Sequence, residues 1–264
     1  MKKFLAILLT FILVFTFVAC TNDEEVKTPN EDVTVTPNED VNDDPEVVFD
    51  PAAKGEGVMT YAEYAAAELE APVVIEAYVQ ATQSWWDNKI TVYAADKDGT
   101  YFVYELACSE ADAAKLTPGT KIRVTGVKGA YAGEVEIMNA TFEFLDSDDT
   151  YIAPAKDDTS LVGTDALIND MNKFISLKGM TVVAQNEDGA AFEYQGGIQG
   201  KDIYFTLSNG NATISCCIES YLTGADSDVY KAVEALQVGD VVDAEGFLYW
   251  YNGANPHITK ITVK

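Results

Sequence analysis

Leu116-Thr117-Pro118-Gly119-Thr120-Lys121-Ile122-Arg123-Val124-Thr125-Gly126 has a second copy in Leu236-Gln237-Val238-Gly239-Asp240-Val241-Val242-Asp243-Ala244-Glu245-Gly246. Leu116, Gly119, Gly126, Tyr131 and Gly133 match Leu236, Gly239, Gly246, Tyr251 and Gly253, all at one offset of 120 residues. After one inserted residue, Ile137 falls on Ile258 and Phe142 on Val263. The unit reads as the end of a short helix at the Leu and a glycine turn into a strand. Inside that strand a second glycine marks a bulge or sharp bend. Tyr131-Ala132-Gly133 and Tyr251-Asn252-Gly253 then read as hairpin turns. A last strand follows in each copy, Glu134 to Phe144 and His257 to Val263.

Upstream, each copy predicts three more strands. In the first they run Val73 to Ala81, Lys89 to Ala95 and Thr100 to Ala107, with Asp98-Gly99 as a turn. In the second they run Ile175 to Ala184, Asp202 to Leu207 and Ala212 to Ile218, with Asn209-Gly210 as the turn. A short helix is expected before each set, Thr60 to Leu69 with Thr60 and Glu63 as a capping box, and Thr164 to Lys173. Ser109 caps a turn or two before Leu116, and Asp228 to Ala235 forms a longer helix before Leu236. Three strands, a short helix and two strands is the order of an OB-fold, a five-stranded Greek-key barrel. The expected class is all-β with short helices, as two tandem OB-fold barrels.

The N-terminus reads differently. Met1-Lys2-Lys3, an apolar block from Phe4 to Val18 and Ala19-Cys20 make a secretory signal. Phe17-Val18-Ala19-Cys20 is similar to a bacterial lipobox, in which Cys20 is lipidated, although Phe17 stands where Leu is usual. Thr28-Pro29-Asn30-Glu31-Asp32-Val33 recurs at Thr36 to Val41, and the charge, Pro and lack of aromatics predict a disordered acidic tether. About 30 residues of extended chain reach on the order of 100 Å at ~3.3 Å per residue. With these segments and the barrel motifs, the chain resembles the tandem OB-fold surface lipoproteins of Firmicutes and their relatives. The motifs are specific for fold and poorly specific for function. The expected organisation is residues 1–19 signal peptide, 20–56 lipidated Cys and tether, 57–146 first barrel, 147–163 linker and 164–264 second barrel. The resemblance implies a lipid-anchored protein on the extracytoplasmic face of the cell membrane.

Charge narrows the partners. The net charge of -26 includes +2 from Lys2 and Lys3 and -10 from residues 21–50, leaving -18 from Pro51 on. This disfavours nucleic acid, whose non-specific binding rests on Lys and Arg replacing counterions, and leaves Lys121, Arg123 and Lys128 as the one local basic group. It also disfavours anionic lipid as a direct ligand. No catalytic constellation is found. His257 stands alone, Cys216-Cys217 lacks zinc spacing, and no nucleophile elbow, phosphate loop or dinucleotide fingerprint is present. Neither a cofactor nor a resident metal is expected. Asp96-Lys97-Asp98-Gly99 reads as a hairpin turn, and Asp146 to Asp158 as a solvated linker. Cys108, Cys216 and Cys217 are expected as buried free thiols, with a bridge from Cys108 to either neighbour left open.

The aromatics are the binding candidates. Trp85 and Trp86 lie between the first two strands of copy one. Phe247-Leu248-Tyr249-Trp250-Tyr251 is expected to run along strand four of copy two into its turn, with Tyr131 as the equivalent of Tyr251. The loops after strands one and four flank the usual OB-fold ligand face, so Trp85 or Trp86 and Tyr131 are expected on one rim. The site expected is Trp85, Trp86, Tyr131, Tyr249 and Tyr251, in a non-catalytic module for an oligosaccharide, peptide or protein. The alternatives are a single-stranded nucleic-acid binder and a structural envelope spacer.

Overall fold

A computed structural model describes residues 49–147 and 149–264. The signal peptide, Cys20 and most of the tether lie outside the described residues. Two five-stranded barrels follow one another. The first is built from β1 (Pro72–Thr82), β2 (Lys89–Ala95), β3 (Thr100–Ala107), β4 (Lys121–Tyr131) and β5 (Glu134–Phe144), closed in the order β1-β2-β3-β5-β4. Helix α1 (Tyr61–Ala66) precedes it, and α2 (Glu110–Ala113) joins β3 to β4.

The second barrel repeats this path. It comprises β7 (Phe174–Val183), β9 (Ile203–Ser208), β10 (Thr213–Ile218), β11 (Val241–Phe247) and β12 (His257–Val263), and a β7–β9 pairing closes it. The short strands β6 (Lys156–Asp157) and β8 (Phe192–Tyr194) are added at the flanks. Helices α3 (Ser220–Thr223) and α4 (Asp228–Glu234) stand between β10 and β11. In each barrel strand three pairs with strand five in parallel, Val103 opposite Ile137 and Cys217 opposite His257. This is the OB-fold connection.

The repeated residues do the same work twice. Gly119 N–H donates to Val79 O at 2.8 Å, and Gly239 N–H donates to Val182 O at 2.9 Å. Both glycines sit at positive φ, 90° and 99°, which a side chain would disfavour. Gly126 and Gly246 are needed for a different reason. A Cβ on Gly126 would lie 2.7 Å from Ile137 Cγ2, and one on Gly246 would lie 2.2 Å from the His257 carbonyl oxygen. Strand four therefore crosses strand five too closely for any side chain, and the register shifts there in both barrels.

Each barrel has its own core. Ile75, Val92, Val103, Leu106, Ile122 and Ile137 fill the first, and Ile175, Leu177, Phe205, Leu207, Val242 and Ile258 the second. Removing this apolar surface from water, at roughly 25 cal/mol per Å², drives the closure of each barrel. A third cluster of Tyr93, Phe102 and Phe247 joins the two barrels. The Tyr93 and Phe247 rings stack at 4.2 Å with an interplanar angle of 18°.

Several elements depart from the sequence expectation. The Thr60–Glu63 capping box is present, but α1 ends at Ala66 rather than Leu69. Its end is closed by Lys128 Nζ, which donates to the Tyr64, Ala65 and Ala67 carbonyls at 3.0, 2.8 and 2.8 Å. The helix expected over Thr164 to Lys173 is a 3₁₀ segment, Asp165–Asp170. The linker is partly pinned. Gln80 receives Ala153 N–H at 2.8 Å and donates to Tyr151 O at 3.1 Å, and Asp158 is buried beside Lys156. Asp96 makes the expected turn, its Oδ1 accepting from Asp98 and Gly99 N–H at 2.7 and 2.8 Å. Cys108, Cys216 and Cys217 are buried free thiols.

Candidate ligand cleft between the barrels

The turn after β1 explains where the tryptophans go. Asp87 and Asn88 adopt φ of 47° and 60°, the paired left-handed conformation of a two-residue hairpin turn. It is closed by hydrogen bonds in both directions between the Trp86 and Lys89 backbones, at 3.0 and 2.9 Å. Trp86 stands out from this turn and is 68% exposed. Trp85 turns the other way, packs on the first core and donates Nε1–H to Cys108 O at 2.8 Å.

At strand four the two copies diverge. In barrel one β4 runs on to Tyr131, and Ala132-Gly133 turn it back into β5. In barrel two β11 stops at Phe247, so Tyr249 and Trp250 are not on strand four as expected. Leu248 N–H donates to Lys173 O and Asn172 N–H to Leu248 O, both at 2.9 Å, which carries the pairing with the chain before β7 one residue past Phe247. Pro256, with no N–H to donate, precedes β12 and keeps the ladder from extending. The freed loop crosses to barrel one. Trp250 N–H donates to Glu134 Oε2 at 2.8 Å, and Asn252 N–H to Ala132 O at 2.6 Å. Alternation within the run is kept: Leu248 enters the core of barrel two, while Phe247 and Tyr249 face the inter-barrel cluster. Tyr251 meets its own equivalent, Tyr131, at a centroid distance of 6.1 Å.

Between the barrels lies a cleft of about 670 Å³. Barrel one lends it Phe102 and Tyr104 from β3, and barrel two lends Tyr204 from β9 with Tyr249 and Tyr251 from the loop after β11. These are the strand-two and strand-three faces and the strand-four loop, the surfaces on which OB-folds take oligonucleotides and oligosaccharides. Gln83, Gln195 and Asn255 add amides, and Asp202 and Glu219 add carboxylates. Next to it is a hollow of about 450 Å³ lined by Trp86, Lys89, Tyr104 and Tyr221, which shares Gln83 and Tyr104 with the cleft. Tyr131 lines neither hollow, so the structure does not bring Trp86 and Tyr131 together on one lining.

Electrostatics in the cleft follow from burial. Burial, then the charge of Asp202, pushes the Glu219 carboxyl up to about 7. Burial pulls His257 down to about 3, so its imidazole is neutral, with Nδ1 2.9 Å from Tyr93 Oη. Cys217 lies behind Tyr204 and is pushed well above its ordinary value by burial and the nearby acids, so it is a thiol rather than a thiolate nucleophile. Among the described residues no group of three or more His, Cys, Asp or Glu is placed to hold a metal ion.

Sequence reading reached Trp86, Tyr249 and Tyr251 and missed Phe102, Tyr104, Tyr204, Asp202 and Glu219. A signal existed for some of them. In Tyr101-Phe102-Val103-Tyr104 the strand alternation that puts Tyr101 and Val103 in the core leaves two aromatic rings facing outward.

No family model matches the chain, and no curated protein matches it. Solved structures do. A murine DNA-binding protein bound with double-stranded DNA is 10% identical, covers 73% of this chain and 94% of its own, and has a TM-score of 0.34. The Ifi202 HINa domain in complex with a 20-base-pair duplex is 13% identical, with 74% and 97% covered and a TM-score of 0.33. A deletion mutant of the single-stranded DNA-binding protein from Thermus aquaticus is 13% identical, with 73% and 93% covered and a TM-score of 0.26. The expectation that nucleic acid is disfavoured as a partner is corrected on its own ground: net charge is a whole-chain sum that does not measure base stacking on aromatic rings. The chain is a tandem of two OB-fold barrels.

Proposed function

We propose that this tandem OB-fold is a non-catalytic binding module that holds a ring-bearing chain, stacked on Tyr104, Tyr204 and Tyr249 in the inter-barrel cleft. One observation carries the reading: the ligand faces of two OB-folds open onto one aromatic-lined space that neither barrel makes alone. An oligosaccharide suits the mixture of ring faces with amide and carboxylate acceptors for hydroxyl groups. A single-stranded nucleic acid is the second reading. It is favoured by the continuous path from Trp86 and Lys89 through Tyr104 into the cleft, where successive bases have stacking surfaces outside as well as inside. The signal and lipobox at Cys20 support an extracytoplasmic, lipid-anchored place of work for this module.

Titration of the protein with neutral oligosaccharides and with short single-stranded DNA, followed by calorimetry and Trp fluorescence, tests the reading. Tyr249→Ala should weaken the bound class by about fivefold or more, since one base stacked on an aromatic ring contributes ~1–3 kcal/mol. Saturable binding that is unchanged by Tyr104→Ala, Tyr204→Ala and Tyr249→Ala would place the ligand elsewhere and sink the proposal.

A further inference from the structure

Glu219 sits in this cleft without a cationic partner. It is 8% exposed, and its Oε2 accepts from Gln83 Nε2 at 2.8 Å. Among the described residues the basic group within salt-bridge reach is His257, with Nδ1 at 3.9 Å. That nitrogen is already engaged with Tyr93 Oη, and the ring is neutral. A buried carboxylate without a countercharge is costly, by several kcal/mol for an isolated ion. The surroundings sharpen the need. The cleft lining contains no Lys or Arg, it contains a second carboxylate, Asp202, and five of its side chains are aromatic. Aromatic faces attract cations through the ring quadrupole.

His257 gives an independent pointer. It is 6% exposed and lines the cleft, yet its Nε2 has no hydrogen-bond partner among the described residues. Its Nδ1 shares a hydrogen bond with Tyr93 Oη, so Nε2 is the ring nitrogen left to a ligand.

We propose that the ligand carries a positively charged ammonium group, seated between Glu219 and Asp202 against the tyrosine walls. The proposal rests on the cleft being the binding site. It specifies which chemistry the cleft selects, a ring-bearing amine over its neutral counterpart. The groups facing Glu219 are Asp202 beside β9, Cys217 on β10, His257 on β12, Tyr93 on β2 and Tyr204 on β9. Cys217, Tyr93 and Tyr204 hold their protons above the neutral range because burial pushes each upward, and His257 stays neutral above about 3. Of Glu219, Cys217, Tyr93, Tyr204 and His257, the group whose charge changes between pH 6 and 8.5 is therefore Glu219.

The test compares benzylammonium with benzyl alcohol, which share a ring and differ in charge, by calorimetry on the full chain. Benzylammonium should bind at least about tenfold more tightly at pH 8.5. That preference should shrink severalfold at pH 6, where Glu219 is mostly protonated, and benzyl alcohol should show no such change. Glu219→Gln keeps an acceptor for Gln83 and should abolish both the preference and its pH dependence. Equal binding of the two probes, lost in Tyr249→Ala, would overturn the ammonium proposal and leave the aromatic cleft standing. Binding of neither probe, with saturable oligosaccharide or DNA binding that Tyr249→Ala removes, would do the same. No binding of any of these molecules would remove both.

Discussion

The two barrels share a path and differ at one corner. In the first, strand four runs straight through its bulge to Tyr131 and turns back at once. In the second, the chain leaves the ladder after Phe247, wanders through Tyr249 and Trp250, and returns only at His257. Barrel one thus closes on itself, while barrel two gives up ladder hydrogen bonds to reach its neighbour. The difference shows that one copy adds an irregular loop to a joint that Tyr93, Phe102 and Phe247 already make from regular strands.

The sharpest way to break this comparison is to fill the two glycine crossings. Gly246→Ala would press a methyl group against the backbone of His257 and Ile258, neither of which can move without opening β12. Gly126→Ala meets chiefly the Ile137 side chain, with the Met138 carbonyl at 2.9 Å. Overpacking of this kind typically costs ~1–3 kcal/mol. Gly246→Ala should reach or exceed the top of that range, about 3 kcal/mol, and Gly126→Ala should fall lower, as read from urea midpoints at constant m-value. The reverse ranking would mean that strand five is the softer element in barrel two.

The two neighbouring tryptophans come next. Trp85→Ala removes a packed ring and the bond to Cys108 O, and should lower stability by about 3 kcal/mol. Trp86→Ala should stay within ~0.5 kcal/mol, as for an exposed side chain. Thermal melts of the two variants side by side would expose an error in either placement.

Glu134 tests the joint through its pH dependence. It lies wholly buried, its Oε2 holds Trp250 N–H, and both its Oε1 and Asn172 Oδ1 lack partners. Burial pushes its carboxyl up to about 8, partly offset by the Asn172 side chain and the Trp250 amide. A folded value above the unfolded one, for an acid, means that stability is full below ~4.5. It then falls as pH rises toward 8, because only the unfolded chain ionises readily. Glu134→Gln imitates the protonated side chain and offers Asn172 Oδ1 a donor. It should flatten this fall and stabilise the protein at pH 9 by on the order of a few kcal/mol, with little change at pH 4. A variant that is less stable than the parent at pH 9 would refute the assignment.

Most of the fold could be read from the repeat, because Gly119, Gly126, Gly239 and Gly246 are fixed by backbone geometry that leaves few alternatives. The 3₁₀ segment over Asp165–Asp170 was not legible, since its pattern of apolar residues suits either helix. The loop after Phe247 was misread for a similar reason. An aromatic run that alternates correctly looks like strand until Pro256 and the contacts to Lys173 and Asn172 are known. Of the site, single exposed rings were visible, but the cleft was not. Its walls come from β3, β9 and the loop before β12, and no local pattern reports which surfaces of two barrels will face each other.

Lys128 has a consequence in time rather than in space. Its ammonium closes the end of α1 from 61 to 64 residues away along the chain. A six-residue helix cannot hold itself in water, so α1 must await β4 before it is complete. Substitution of Glu63 in its capping box should therefore speed unfolding and leave the folding rate nearly untouched, a φ-value near zero. The first regular element in the described chain would be among the last to form.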